Sequence, residues 1–179
     1  ISFHQRIYTP RRVSWDDPAE FDRPYAGILG FSFNKEFYLK QKNYLKTSFE
    51  VGLMGPNTLT DDFQITWHKV LNIPLPAGWE YQIANSPVIN FHGTYARRLA
   101  GNQTLDVYSE TQISMGTVYN QISEHVLVRL SFLKNTSSSS LFGGHLGSPL
   151  PSTSTKKIME GYFFYAPGII YNAYNATIE

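Results

Sequence analysis

The chain has 179 residues, no cysteine, 16% charged residues, 15% aromatic residues and a formal net charge of +1. Without thiols there are no disulfide staples, cysteine nucleophiles or thiolate metal sites. The even charge balance argues against nucleic acid as a partner, and 42% hydrophobic residues argue against disorder. No stretch approaches the roughly 18 to 20 apolar residues of a transmembrane helix, which leaves open a β-barrel, whose signal is alternation.

Taken in chain order, Ile1 to Tyr8 reads as part of a strand, followed by a long loop from Thr9 to Asp22. That loop carries the basic pair Arg11–Arg12, a candidate contact for the anionic phosphates of a lipid headgroup, because paired arginines favour bidentate phosphate contacts. Arg97–Arg98 and Lys156–Lys157 are basic pairs near other strand ends. Pro24 to Phe37 sets Tyr25, Leu29, Phe31 and Phe33 in step. Tyr44 to Leu53 alternates over its whole length, with Leu45, Thr47, Phe49, Val51 and Leu53 opposite Tyr44, Lys46, Ser48, Glu50 and Gly52.

Pro56 to Trp79 is a long connection that contains a predicted helix, Thr58 to Leu71. Thr58 or Thr60 can cap it, Asp61 and Asp62 complement its dipole, and Asn72 and Pro74 stop it. Phe63, Trp67, Val70 and Leu71 share an apolar stripe; Asp61, Gln64 and His68 share a polar one. His68 is the candidate general base, and Gln64, one turn away, can orient it or the substrate. The bland reading of His68 is a surface histidine on an amphipathic helix.

Val88 to Arg98, Gln103 to Val118, Ser123 to Phe132 and Gly161 to Tyr174 complete the predicted strands, with tight turns at Ala100–Gly101–Asn102 and Tyr119–Asn120. Asp106, Glu110, His92 and His125 read as lumen or rim residues. Lys134 to Lys157 is a Ser- and Gly-rich flexible loop. Several segments reach ten residues, longer than the usual five or six of soluble strands and close to the 9 to 11 that a bilayer needs. The expectation is an all-β, antiparallel transmembrane β-barrel forming a single domain over 1–179, with seven or eight strands visible, short turns on one side and long loops on the other.

Six pieces in order carry a resemblance: QRIYTP at Gln5 to Pro10, DRPYAG at Asp22 to Gly27, VGLMGP at Val51 to Pro56, Gln64 with His68, GWEYQI at Gly78 to Ile83, and Asn85. Over residues 1 to 98 this combination resembles the outer-membrane lipid A 3′-O-deacylase (LpxR) family. The resemblance implies a twelve-stranded barrel in the bacterial outer membrane, with its site between the wall and a short helix near the outer leaflet. It implies calcium-dependent hydrolysis of the ester holding the 3′-linked acyloxyacyl group of lipid A. It makes His68 the catalytic histidine, Gln64 its neighbour, and Arg12 the counterpart of a family lysine.

The chain departs from the pattern in three ways. The family's Asn–Asp pair and its Thr or Ser partner, which help build the calcium site, fall before Ile1, so the Ca²⁺ ligands are not in this chain. A glutamate that some members carry six residues after the histidine is Pro74 here. Glu179 is not the terminal aromatic usual in such barrels, and the chain is expected to be part of a larger barrel. Lipopolysaccharide and outer-membrane lipids are the expected partners, with other outer-membrane proteins as further ones. The alternative from a different class is a non-catalytic structural or lipid-binding barrel in a larger assembly. A soluble lipocalin-like barrel is a third reading.

Overall fold

Alternating side chains on long antiparallel strands build one curled sheet with a polar concave face. The computed structural model describes residues 1–40, 43–102, 104–132 and 161–178. Its strands are β1 (Ser2–Tyr8), β2 (Ala26–Tyr38), β3 (Tyr44–Met54), β4 (Ser86–Gly101), β5 (Leu105–Gly116), β6 (Tyr119–Ser131), β7 (Tyr162–Tyr165) and β8 (Gly168–Asn175). Each neighbouring pair is antiparallel, in the order β1-β2-β3-β4-β5-β6-β7, and β8 also pairs with β6. The segment read as one strand from Gly161 to Tyr174 is therefore two pieces on one partner. They part at Ala166–Pro167, where the proline has no amide hydrogen for the ladder and its carbonyl accepts from Val126 N at 2.9 Å.

β2 to β6 each run 11 to 16 residues, enough to cross a bilayer at a tilt. Their burial alternates in the sense opposite to a soluble sheet. On β3 the buried residues are Tyr44, Ser48, Glu50 and, at the strand end, Met54, while Phe49 and Leu53 are exposed. On β4, Asn90 is buried and Ile89 and Phe91 are exposed; on β5, Asp106 and Glu110 are buried and Ile113 and Met115 are exposed. Apolar side chains outward and polar ones inward is the pattern of a membrane barrel wall. No helix among the described residues is long and apolar enough to cross a membrane.

The concave face holds two ion-pair centres. Asp106 accepts from Arg98 at 2.7 Å and from Arg129 at 2.5 Å. Glu50 accepts from His4 Nε2 at 2.7 Å, Asn90 Nδ2 at 2.9 Å and His92 Nε2 at 3.3 Å, and also pairs with Arg6. His4 on β1 reaches Glu50 on β3 across Gly30 and Ser32, two small inner-face residues of β2, and Arg6, opposite Ile28, reaches the same carboxylate. A cavity of about 200 Å³ lies among His4, Arg6, Ser32, Glu50 and His92. The outward face is not wholly apolar. Glu124, between Ile122 and Val126, is held by the hydroxyls of Ser109 and Thr111, each at 2.5 Å.

Antiparallel parity decides which end each connection occupies. The connections after β1, β3 and β5 leave one end, and those after β2, β4 and β6 leave the other. The two long connections 9–25 and 55–85 share an end, with an apolar cluster of Ile28, Met54, Val88, Val118 and Ala176 beneath them. The third long connection starts beyond Ser131 at the opposite end, and the tight β5–β6 turn sits with the two long loops. Long loops and short turns are thus not segregated as expected, because β6 is three strands on from β3 and the connections that follow the two strands leave opposite ends. The tight turn itself falls at Thr117–Val118, just ahead of Tyr119–Asn120. The Ser- and Gly-rich loop and Lys156–Lys157 lie outside the described residues.

Candidate active site on the outer face of the wall

Among the described residues a single α-helix, α1 (Thr60–Leu71), stands at the end where 9–25 and 55–85 emerge. It starts two residues later than the sequence suggests, because Pro56–Thr58 forms a separate 3-10 turn. Neither threonine caps it. The N-cap is Leu59 in the left-handed conformation, with no side-chain cap bond. The threonines instead secure the helix to the wall: Gln5 Nε2 donates to Thr58 O and Thr60 Oγ1, both at 3.1 Å. Gly27 is the contact surface, since a Cβ there would overlap Thr58 Oγ1 and Thr60 Oγ1. Asn72 ends the helix in the left-handed conformation at φ 53°, as its position in the sequence suggests.

Strand parity tells which side of the wall this is. His4 and Arg6 point inward to Glu50, so Gln5 between them points outward. Ile28 belongs to the inner apolar cluster, so Gly27 before it faces outward. The helix therefore begins on the outer, lipid-facing side.

Gln64 and His68 come together as the i, i+4 spacing requires, in a relay whose donors can be assigned. Trp79 Nε1 donates to Gln64 Oε1 at 2.8 Å, which turns the amide nitrogen of Gln64 towards His68 Nε2 at 3.5 Å. His68 Nδ1 lies 2.5 Å from Pro74 O, an acceptor only, so Nδ1 carries the hydrogen. Nε2 is left as the basic nitrogen, and its contact with Gln64 is at the outer limit of a hydrogen bond, where an entering water can compete. Pro74 thus orients the imidazole through its carbonyl.

Trp79 is buried and stacks on Tyr25 at 4.9 Å between ring centroids; Tyr25 also meets Phe21 edge-on at 5.6 Å. Burial pushes the Tyr25 phenol up, so it stays a neutral donor to Val13 O at 2.8 Å. Ala77 N donates to the same carbonyl at 2.8 Å. That joins the loop bearing Arg11 and Arg12 to the loop that holds His68. Arg11 and Arg12 are exposed at the same end as the helix; Arg12 lies over the Trp15 ring at 5.3 Å, and Asp22 accepts from the Arg11 backbone at 2.8 Å. Trp79→Phe keeps the ring stack but removes the donor to Gln64. It is expected to cost about 0.5–1.5 kcal/mol in denaturant unfolding, the usual net worth of one hydrogen bond.

The quoted sequence pieces all meet here. Arg23 lies over Tyr8 at 4.8 Å and donates to Thr177, Gly55 N donates to Gly27 O at 2.9 Å, Ile83 N to Tyr25 O at 2.9 Å, and Asn57 N to Asn85 Oδ1 at 2.9 Å. These contacts tie the connections 9–25 and 55–85 to each other and to the strand ends beside the helix. His4 was missed as a partner for a carboxylate because its partner Glu50 lies 46 residues away; the one available signal was the gap left by Gly30 in the strand between them. Among the described residues no three or more His, Asp or Glu side chains are grouped so that they could hold a metal ion.

A polar concave face, an apolar outward band and strands long enough for a bilayer define the wall of an outer-membrane-type β-barrel, with a histidine-bearing helix outside it. The sequence pattern of the family described as outer membrane protein LpxR matches residues 1–179, and the chain belongs to that family of outer-membrane proteins. The solved structure of LpxR from Salmonella typhimurium is similar with a TM-score of 0.72 at 18% identity, over 98% of this chain and 60% of that one. At that identity the likeness carries the fold, and this chain spans about 60% of the length of that solved relative. No curated protein sequence matches the chain.

Proposed function

We propose that the protein is an outer-membrane esterase of lipid A that hydrolyses the 3′-linked acyloxyacyl group, with His68 as general base. The observation that carries this reading is the relay Trp79–Gln64–His68–Pro74, which fixes the tautomer that leaves Nε2 basic, on the lipid side of the wall. A water bound at Nε2 gives up its proton as its oxygen attacks the ester carbonyl; the imidazolium so formed then supplies the proton to the leaving alkoxide. Gln64, held by Trp79, keeps the imidazole and the water in register. Arg11 and Arg12, joined to the same platform through Val13 and Ala77, are suited to the phosphates of the lipid headgroup.

The calcium requirement belongs to this proposal through the family resemblance alone, and no step above runs through the ion. The test is mass spectrometry of lipid A from cells making the full-length protein, wild type beside His68→Ala, with calcium and with chelator. Loss of a 3′ acyl group only with wild type and calcium is the expected outcome. Unchanged lipid A in every sample would sink the enzyme reading and favour a non-catalytic, lipid-binding barrel.

A further inference from the structure

α1 turns the polar residues Thr60, Gln64 and His68 to the protein and a stripe of apolar residues away from it. Leu59, Phe63, Trp67 and Val70 follow at spacings of four, four and three, which places them on one side of the helix. They are 63%, 54%, 54% and 70% exposed. The neighbouring side carries Thr60, Gln64 and His68, which meet Gln5, Trp79 and Pro74. Exposed Asp62, Thr66 and Lys69 make up a third, polar side. A water-facing helix would not leave a stripe containing Phe and Trp uncovered.

The surroundings of that stripe say what covers it. The helix starts on outward-facing Gly27 and Gln5. On the same face of the same strand, Gly27 is followed by Leu29 and Phe31, and Leu53 lies directly across from Leu29. Phe31 and Leu53 belong to the apolar band that meets lipid in an outer-membrane barrel. The apolar stripe of α1 is thus continuous with an established lipid interface, and its polar third side suits the headgroup layer.

We propose that α1 is an interfacial anchor whose occupant is the acyl-chain surface of the bilayer. Leu59, Phe63, Trp67 and Val70 insert among the chains, and lipid keeps the Gln64–His68 side pressed to the wall. The inference rests on the fold and the exposed stripe, and stands whether or not the site hydrolyses lipid A.

Residues 1–179 contain no cysteine, so an introduced cysteine is the single labelling point within them. Full-length protein carrying Phe63→Cys, Trp67→Cys or Val70→Cys, beside Asp62→Cys and Lys69→Cys, is labelled in phosphatidylcholine–phosphatidylglycerol vesicles. Collision rates with oxygen, which partitions into hydrocarbon, and with a water-soluble nickel chelate are then compared. Labels at 63, 67 and 70 are expected to favour oxygen several-fold, and those at 62 and 69 to favour nickel. Equal nickel access at all five positions would overturn the proposal by showing that the stripe faces water. Shielding of 63, 67 and 70 from both reagents would overturn it in favour of a protein partner or a second copy.

Discussion

Glu50→Leu is expected to cost the barrel about 2–4 kcal/mol, measured as denaturant unfolding of the full-length protein in vesicles. The Glu50 side chain is 2% accessible and is the common acceptor for Arg6, His4, His92 and Asn90. Removing it leaves the Arg6 guanidinium among polar groups that were arranged for a carboxylate. Breaking a buried pair typically costs about 3–5 kcal/mol; Arg6 keeps 32% of its side chain accessible, which lowers the expectation. Glu50→Gln retains acceptor and shape and should lose about half as much. A Glu50→Leu, Arg6→Met double variant should recover most of the loss, since both charges go together and the effects do not add. Stability within about 0.5 kcal/mol of wild type for Glu50→Leu alone would show that lumen water, and not this network, carries the charge.

Gly27→Ala is the second change with a large expected effect, this time on the proposed hydrolysis. One methyl there overlaps the two threonine oxygens at the start of α1, and the helix must move off the wall. Gln5 would then lose Thr58 O and Thr60 Oγ1, and the Gln64–His68 side would shift with them. A displacement of about 1 Å in a catalytic group costs about 100-fold, so 3′ deacylation should fall by that order with the barrel still folded. Gly93→Ala is the matched control. It lies on the same wall, and its added methyl meets only Phe91, at 3.9 Å. Full activity in Gly27→Ala would mean that this contact does not locate the helix.

The strands were legible because their pattern is local. Tyr44 to Leu53 alternates without a break, and it is β3 almost residue for residue. The helix was legible from Asp61, Asp62 and Asn72, and the i, i+4 geometry brought Gln64 to His68. What stayed hidden depends on register between distant segments. Thr58 and Thr60 look like caps in isolation, yet their oxygens serve Gln5 and fit against Gly27, over 30 residues earlier in the chain. The Trp79 donor that turns Gln64 comes from a loop beyond the helix. The Glu50 centre needs four strands in register and a glycine in the gap before any of its partners can meet.

The inward-facing ion pairs also constrain how such a sheet can enter a membrane. Their members are spread over different strands: Arg6 on β1 with Glu50 on β3, and Arg98 on β4 with Asp106 on β5 and Arg129 on β6. A strand arriving alone would carry its arginine or carboxylate into hydrocarbon unpaired, at about 2–4 kcal/mol for each Arg near the midplane. Neighbouring strands arriving already curled bring the opposite charges with them and keep both from lipid. The polar interior therefore favours insertion of a preassembled group of strands over their addition one at a time.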